Sequence, residues 1–256
     1  MSSPEARQRR APPGLIPAAL GAGGLAAVVA LLPILGDANV SFAEQVLAYA
    51  LAVVPIGVLV FGLLTLAAPL STPRVLLVGV AAGLLGAVAA YLARPEVFAG
   101  GAPLALLFLA DAGRIAAASA LALARHVSSV GVALLVAAVA TAADLFSVLA
   151  GPTRALVKED SPALDFLLVI FPTFGQPLGF ALGVADFVFL ALFAAIARHL
   201  SLRPVPTLAL GCAAILAAML AGLLLGTYLP TLPFIALSFL LANADLALGS
   251  LRKTRS

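Results

Sequence analysis

The chain has 256 residues, 63% of them hydrophobic and 10% charged, with a net charge of +3 and a mean hydropathy of +1.19. A soluble domain is about half apolar and about a quarter charged, so this composition excludes a soluble protein. The basic residues stand singly at the ends of apolar runs, as topology signals rather than as a patch for nucleic acid.

Apolar runs near the length of a bilayer core recur along the chain, without the short alternating segments of a membrane barrel. The expected fold class is therefore all-α, a polytopic transmembrane helix bundle. In chain order, residues 1–13 read as a disordered, basic cytoplasmic tail. Eight spans are expected, at 14–36, 43–69, 73–93, 102–124, 128–150, 178–199, 205–226 and 230–249. The organisation is an N-terminal bundle over 14–150, a loop over 151–177, a C-terminal bundle over 178–249 and a basic tail over 250–256. Short connections hold most of the Pro, Gly and charged residues.

The loop 151–177 is different in kind. It opens with an amphipathic piece, TRALVKED, expected to lie along the membrane surface as a short helix. FLLVIF follows, rich in β-branched and aromatic residues, closed by Pro172 and too short to span as a helix. It reads as an extended segment.

Orientation follows from the basic residues. With eight spans, ten Lys and Arg lie on the side of the N-terminus and three on the other, with Arg114 inside a span. That asymmetry puts both termini in the cytoplasm and the long loop outside. Cys212 lies in an apolar run, which excludes an intrachain disulfide and a thiol metal cluster. His126 and His199 each adjoin an arginine at a helix end and read as solvated interfacial groups, not metal ligands. No metal or cofactor is expected.

Charges at bilayer depth are costly and mark function by default. Asp111 and Arg114, three residues apart, can neutralise each other. Asp245 and Asn243 are near enough to the end of the last span to reach the interface. Asp144 and Asp186 have no local partner. Asp144 stands seven residues before Gly151, and Asp186 eight residues after Leu178. Each is roughly 10–12 Å in from the same membrane face. Their helices are consecutive and antiparallel. Gly179 and Gly183, with Ala185 adjoining, form a small-residue pattern that admits a close neighbour. If the two helices pack, the carboxylates meet at one depth and share a proton. One then accepts a proton from water while the other donates to a carbonyl oxygen. Ion transport, or separate structural roles, remain open on spacing alone.

Three segments carry a resemblance. GVADFVFLAL, from Gly183, resembles the GxGD region of presenilins. DLFSVLAGPTRALVKE, from Asp144, resembles the segment that follows their first catalytic aspartate. LPTLPF, from Leu229, resembles the PAL motif. In order and relative placement these are similar to the presenilin and signal peptide peptidase group of intramembrane aspartyl proteases. The resemblance covers about residues 140–249. It implies a catalytic pair, Asp144 and Asp186, with Gly183 allowing tight helix contact and Pro230, Thr231 and Leu232 shaping the site. It also implies that FLLVIF, with Leu168, Val169 and Ile170, offers an edge strand to an unwound substrate. The departures are Ala143 for the usual tyrosine, Ala185 for the second glycine and Thr231 for the PAL alanine. The family has nine spans against the eight expected here.

The resemblance thus implies an endopeptidase that cleaves single-span membrane proteins or signal-peptide remnants in the bilayer, without nucleic acid or cofactor. The alternatives are a small proton- or cation-coupled transporter or channel using the same carboxylates, and a catalytically weakened presenilin-like protein. The Ala- and Arg-rich usage points to a prokaryotic cell membrane.

Overall fold

The computed structural model describes residues 12–35, 40–67, 117–151, 168–227 and 229–253. The expected span 73–93, most of 102–124, the Asp111–Arg114 pair, the surface piece TRALVKED and both terminal tails lie outside them. Helix α1 covers Leu15–Leu31 and passes into a 3-10 turn, Leu32–Ile34, where Pro33 stops the α-helical ladder. Helix α2 covers Phe42–Ala67 and continues through Pro55. Residues 117–124 are helical and lead to α3, Val130–Leu149. Strands β1, Leu168–Thr173, and β2, Gln176–Gly183, form an antiparallel hairpin. Helices α4, Val184–His199, α5, Pro204–Leu225, and α6, Leu232–Lys253, complete the order.

Among the described residues, four stretches are long and apolar enough to cross a membrane: Leu15–Ile34, Phe42–Ala67, Val130–Leu149 and Pro204–Leu225. The protein is therefore a membrane-embedded, predominantly helical bundle. Local chemistry explains several boundaries. Ser41 and Glu44 cap α2 reciprocally: the Ser41 N–H donates to Glu44 Oε2 at 2.7 Å, and the Glu44 N–H to Ser41 Oγ at 3.3 Å. Ser129 Oγ caps α3 by accepting from the Val132 N–H at 3.3 Å. Pro204 and Pro206 open α5, where missing N–H groups cost nothing, and Gly226 closes it at φ 61°.

Glycine sets the closest helix pair. A Cβ at Gly21 would run into the Leu59 backbone, and one at Gly62 into the Ala18 backbone, so α1 and α2 approach as only small residues allow. Helix α5 packs on α2, α4 and α6. Phe193 of α4 stacks on Phe239 of α6, with ring centroids 5.0 Å apart and planes inclined by 24°.

One expected span is corrected. Residues 178–183 do not begin a helix; they are the last six of the eight residues of β2, and helix starts only at Val184. The reason is pairing: Pro177, Gly179 and Gly183 are poor helix formers, and β1 offers this segment a complete ladder. The Gly179–Gly183 spacing therefore marks no helix face. The extended reading of FLLVIF holds for its second half, with Leu168 opposite Gly183, Val169 opposite Leu182 and Ile170 opposite Ala181. The strand does not stop at Pro172. It passes through with an irregularity between Phe171 and Thr173, because proline has no N–H for the ladder. The turn at Phe174–Gly175 holds Gly175 at φ 67°. The Gly175 N–H donates to the Leu32 carbonyl at 2.9 Å and ties the hairpin to the end of α1.

Candidate active site

Asp186 lies in the first turn of α4, not eight residues into a helix. Its Oδ2 accepts the Gly183 N–H at 3.0 Å, so the carboxylate satisfies a donor that the helix start leaves open. Gly183 has φ −65° and ψ 138°, ordinary extended values that any residue adopts. Its glycine is explained by space instead: a Cβ there would stand 3.2 Å from Asp186 Oδ2. The role implied for Gly183, close helix contact, becomes clearance beside a carboxylate.

Asp144 lies near the end of α3, and its partners come from far along the chain. Its Oδ2 accepts the Leu232 N–H at 3.0 Å, across 88 residues, and the carboxylate also accepts the Thr231 N–H. Those are open donors at the start of α6. Pro233 at the second helical position has no N–H to offer. Asp144 thus caps α6 from another helix. Pro230 and Leu232 are buried there, and Thr231 is half-buried.

The two carboxylates are close enough for their charges to interact, and neither is fully exposed. Their helices, however, do not form a principal contact with each other. Helix α3 packs on α6, and α6 packs on α4. The meeting of Asp144 and Asp186 therefore depends on a third helix, and that helix begins with LPTLPF.

The hairpin ends at the same place. Leu168 pairs with Gly183, the residue whose N–H holds Asp186. Val169 and Ile170 step away along the ladder, about 3.4 Å per residue. Behind the site, Phe171 and Phe187 pack with centroids 6.4 Å apart, fixing β1 against α4. Ala185 is exposed, so its methyl group does not wedge between helices.

The opposite end of the bundle is basic. All five Lys and Arg of the described residues, Arg125, Arg198, Arg203, Arg252 and Lys253, fall at helix ends remote from the aspartates. His126 and His199 are exposed at the same level, as expected. Asp245 is exposed and pairs with Arg203 at 2.7 Å. Asn243 departs from expectation: it is 1% exposed and does not reach the interface. Its Oδ1 accepts the Arg203 N–H at 2.9 Å, and its Nδ2 donates to Thr207 Oγ1 and to the Phe239 carbonyl, each at 2.9 Å. Sequence reasoning missed this network. Its one signal was an amide inside an apolar run with Thr207 inside another.

Fold and site together define a helical membrane protein with two neighbouring carboxylates at one end and, among the described residues, its basic groups at the other. Compared with known proteins, the chain matches no family model and no curated sequence.

Proposed function

We propose that the protein is an intramembrane aspartyl endopeptidase, with Asp144 and Asp186 as the catalytic pair. One observation carries the reading: Asp144 at the end of α3 and Asp186 in the first turn of α4 come to one end of the bundle, each held by a main-chain N–H at a helix start, Asp144 by Leu232 of the LPTLPF turn and Asp186 by Gly183. Two adjacent carboxylates in a poorly solvated site share a proton rather than both ionise. The ionised member takes a proton from the attacking water, while the protonated member donates to the scissile carbonyl oxygen. The helix-start N–H groups on Asp144 and Asp186 fix both side chains before substrate arrives.

Substrates are single-span membrane segments or signal-peptide remnants. Their peptide bonds are hidden while helical, so cleavage needs an opened backbone. The hairpin, whose Leu168–Gly183 pair adjoins Asp186, offers a strand along which an opened substrate can pair. The positive-inside rule puts the basic end in the cytoplasm, which sets the carboxylates towards the outer face of a prokaryotic cell membrane.

The test is cleavage of a reporter transmembrane peptide by the purified chain in micelles. Asp144→Asn and Asp186→Asn keep an oxygen acceptor for the helix-start N–H groups but cannot share the proton. Each is expected to abolish cleavage while the protein stays folded. Cleavage at the unmodified rate by either variant would overturn the assignment.

A further inference from the structure

The basic end holds a cavity, well separated from the aspartates. It lies between the last turns of α2 and α4 and the first turn of α5, with a volume of about 250 Å³. Its walls are apolar side chains, Phe61 and Leu64 of α2, Ala194 of α4 and Leu208 of α5, with Thr65 and Arg198 at the rim. Pro204 forms the remaining edge, and with Pro206 it leaves the start of α5 short of N–H donors.

Three features say what fits there. The cavity, small beside the roughly 300–1,000 Å³ of small-molecule sites, has mostly apolar walls, so it suits a length of hydrocarbon rather than a polar metabolite. Thr65 Oγ1 is already satisfied by the Phe61 carbonyl at 2.8 Å, which leaves the walls without polar demands. Arg198 is exposed, and among the described residues no carboxylate pairs with it. Its Nη1 reaches the Leu64 carbonyl at 3.5 Å, which orients the guanidinium over the cavity and leaves other N–H donors free. Neighbouring Arg203 differs, being neutralised by Asp245.

We infer that this cavity takes one acyl chain of an anionic phospholipid, with Arg198 holding its phosphodiester. An apolar slot under a single unpaired guanidinium, at the depth where helices end, matches a lipid's own order of chain, glycerol and phosphate. Basic pockets between helix ends on the cytoplasmic side are where anionic headgroups are retained. The phosphate accepts two N–H bonds from the planar guanidinium, which a lysine could not offer in the same geometry.

The full chain in micelles is titrated with phosphatidylglycerol, phosphatidylcholine or soluble glycerol phosphate, and bound lipid is counted by native mass spectrometry. Phosphatidylglycerol is expected to saturate one site. Arg198→Gln weakens that site about fivefold or more, while Arg125→Gln, at the same end but outside the cavity, leaves it unchanged. Ala194→Leu, which narrows the slot, weakens it with Arg198 intact. Equal binding of phosphatidylcholine, equal loss in Arg125→Gln, or saturation by glycerol phosphate alone would each overturn the inference.

Discussion

Helix α6 is held at its middle by Asn243, and replacing that residue tests how the site is positioned. In Asn243→Leu the volume is nearly kept but three hydrogen bonds go. Their losses are unequal. The Phe239 carbonyl still receives the backbone N–H one helical turn on. Thr207 Oγ1 still donates to the Arg203 carbonyl at 2.7 Å. Only the Arg203 N–H is left without its acceptor. Orphaning one such donor costs about 1–3 kcal/mol, here towards the lower end because Arg203 is exposed. Thr207→Val removes one neutral bond and costs about 0.5–1.5 kcal/mol. Since the two substitutions break one shared bond, the double variant is expected to fall short of the sum by about 0.5–1 kcal/mol. Equilibrium unfolding of the four proteins in mixed micelles measures the cycle. Strict additivity, or no destabilisation in Asn243→Leu, would refute the network. Freed at this point, α6 also loses its fixed depth, and the Leu232 N–H moves relative to Asp144. Peptide cleavage is therefore expected to drop in Asn243→Leu although the residue is far from the carboxylates.

Further outcomes separate the parts of the site. Asp144→Ala leaves the Thr231 and Leu232 N–H groups unsatisfied and should destabilise by about 2–4 kcal/mol, whereas Asp144→Asn should stay within about 1 kcal/mol; equal unfolding curves for the two would show that the cap does not matter. Gly183→Ala presses on Asp186 Oδ2 and is expected to lower turnover several-fold with a small change in stability, read by cleavage and unfolding in parallel. Ala185→Gly should cost about 0.5–1 kcal/mol through helix propensity and change cleavage little, since the Ala185 methyl is exposed; a large gain in turnover would show that this methyl obstructs the site. Gly62→Leu forces α1 and α2 apart and should destabilise by about 1–3 kcal/mol or more, measured by the same unfolding assay.

The membrane class and most described helices were legible because apolar length alone dictates them. The helical depth count for Asp186 was not sound, because residues 178–183 are strand and the carboxylate stands in the first turn of α4; only Asp144, counted back from the end of α3, lies where the helical rise puts it. What was not legible depended on partners distant in sequence. The segment QPLGFALG is apolar enough to pass for the start of a span, and only its pairing with β1 makes it a strand. Helix α6 as the element between the two aspartate helices has no sequence signal beyond LPTLPF itself. Asn243 looked interfacial because distance from a helix end says nothing of which way a side chain faces.

The bond from Gly175 to the Leu32 carbonyl bears on how the molecule is assembled. Helices α1 and α2 leave the ribosome well before the strands that lean on them, so the Gly175 bond is made late, onto a carbonyl that already takes the local Leu35 N–H at 3.3 Å. The hairpin cannot seat until α1 and α2 are inserted side by side. A chain whose first two helices fail to associate would thus make α4 and still lack the support that holds its acidic turn in place, so damage early in the chain would be felt at the carboxylates.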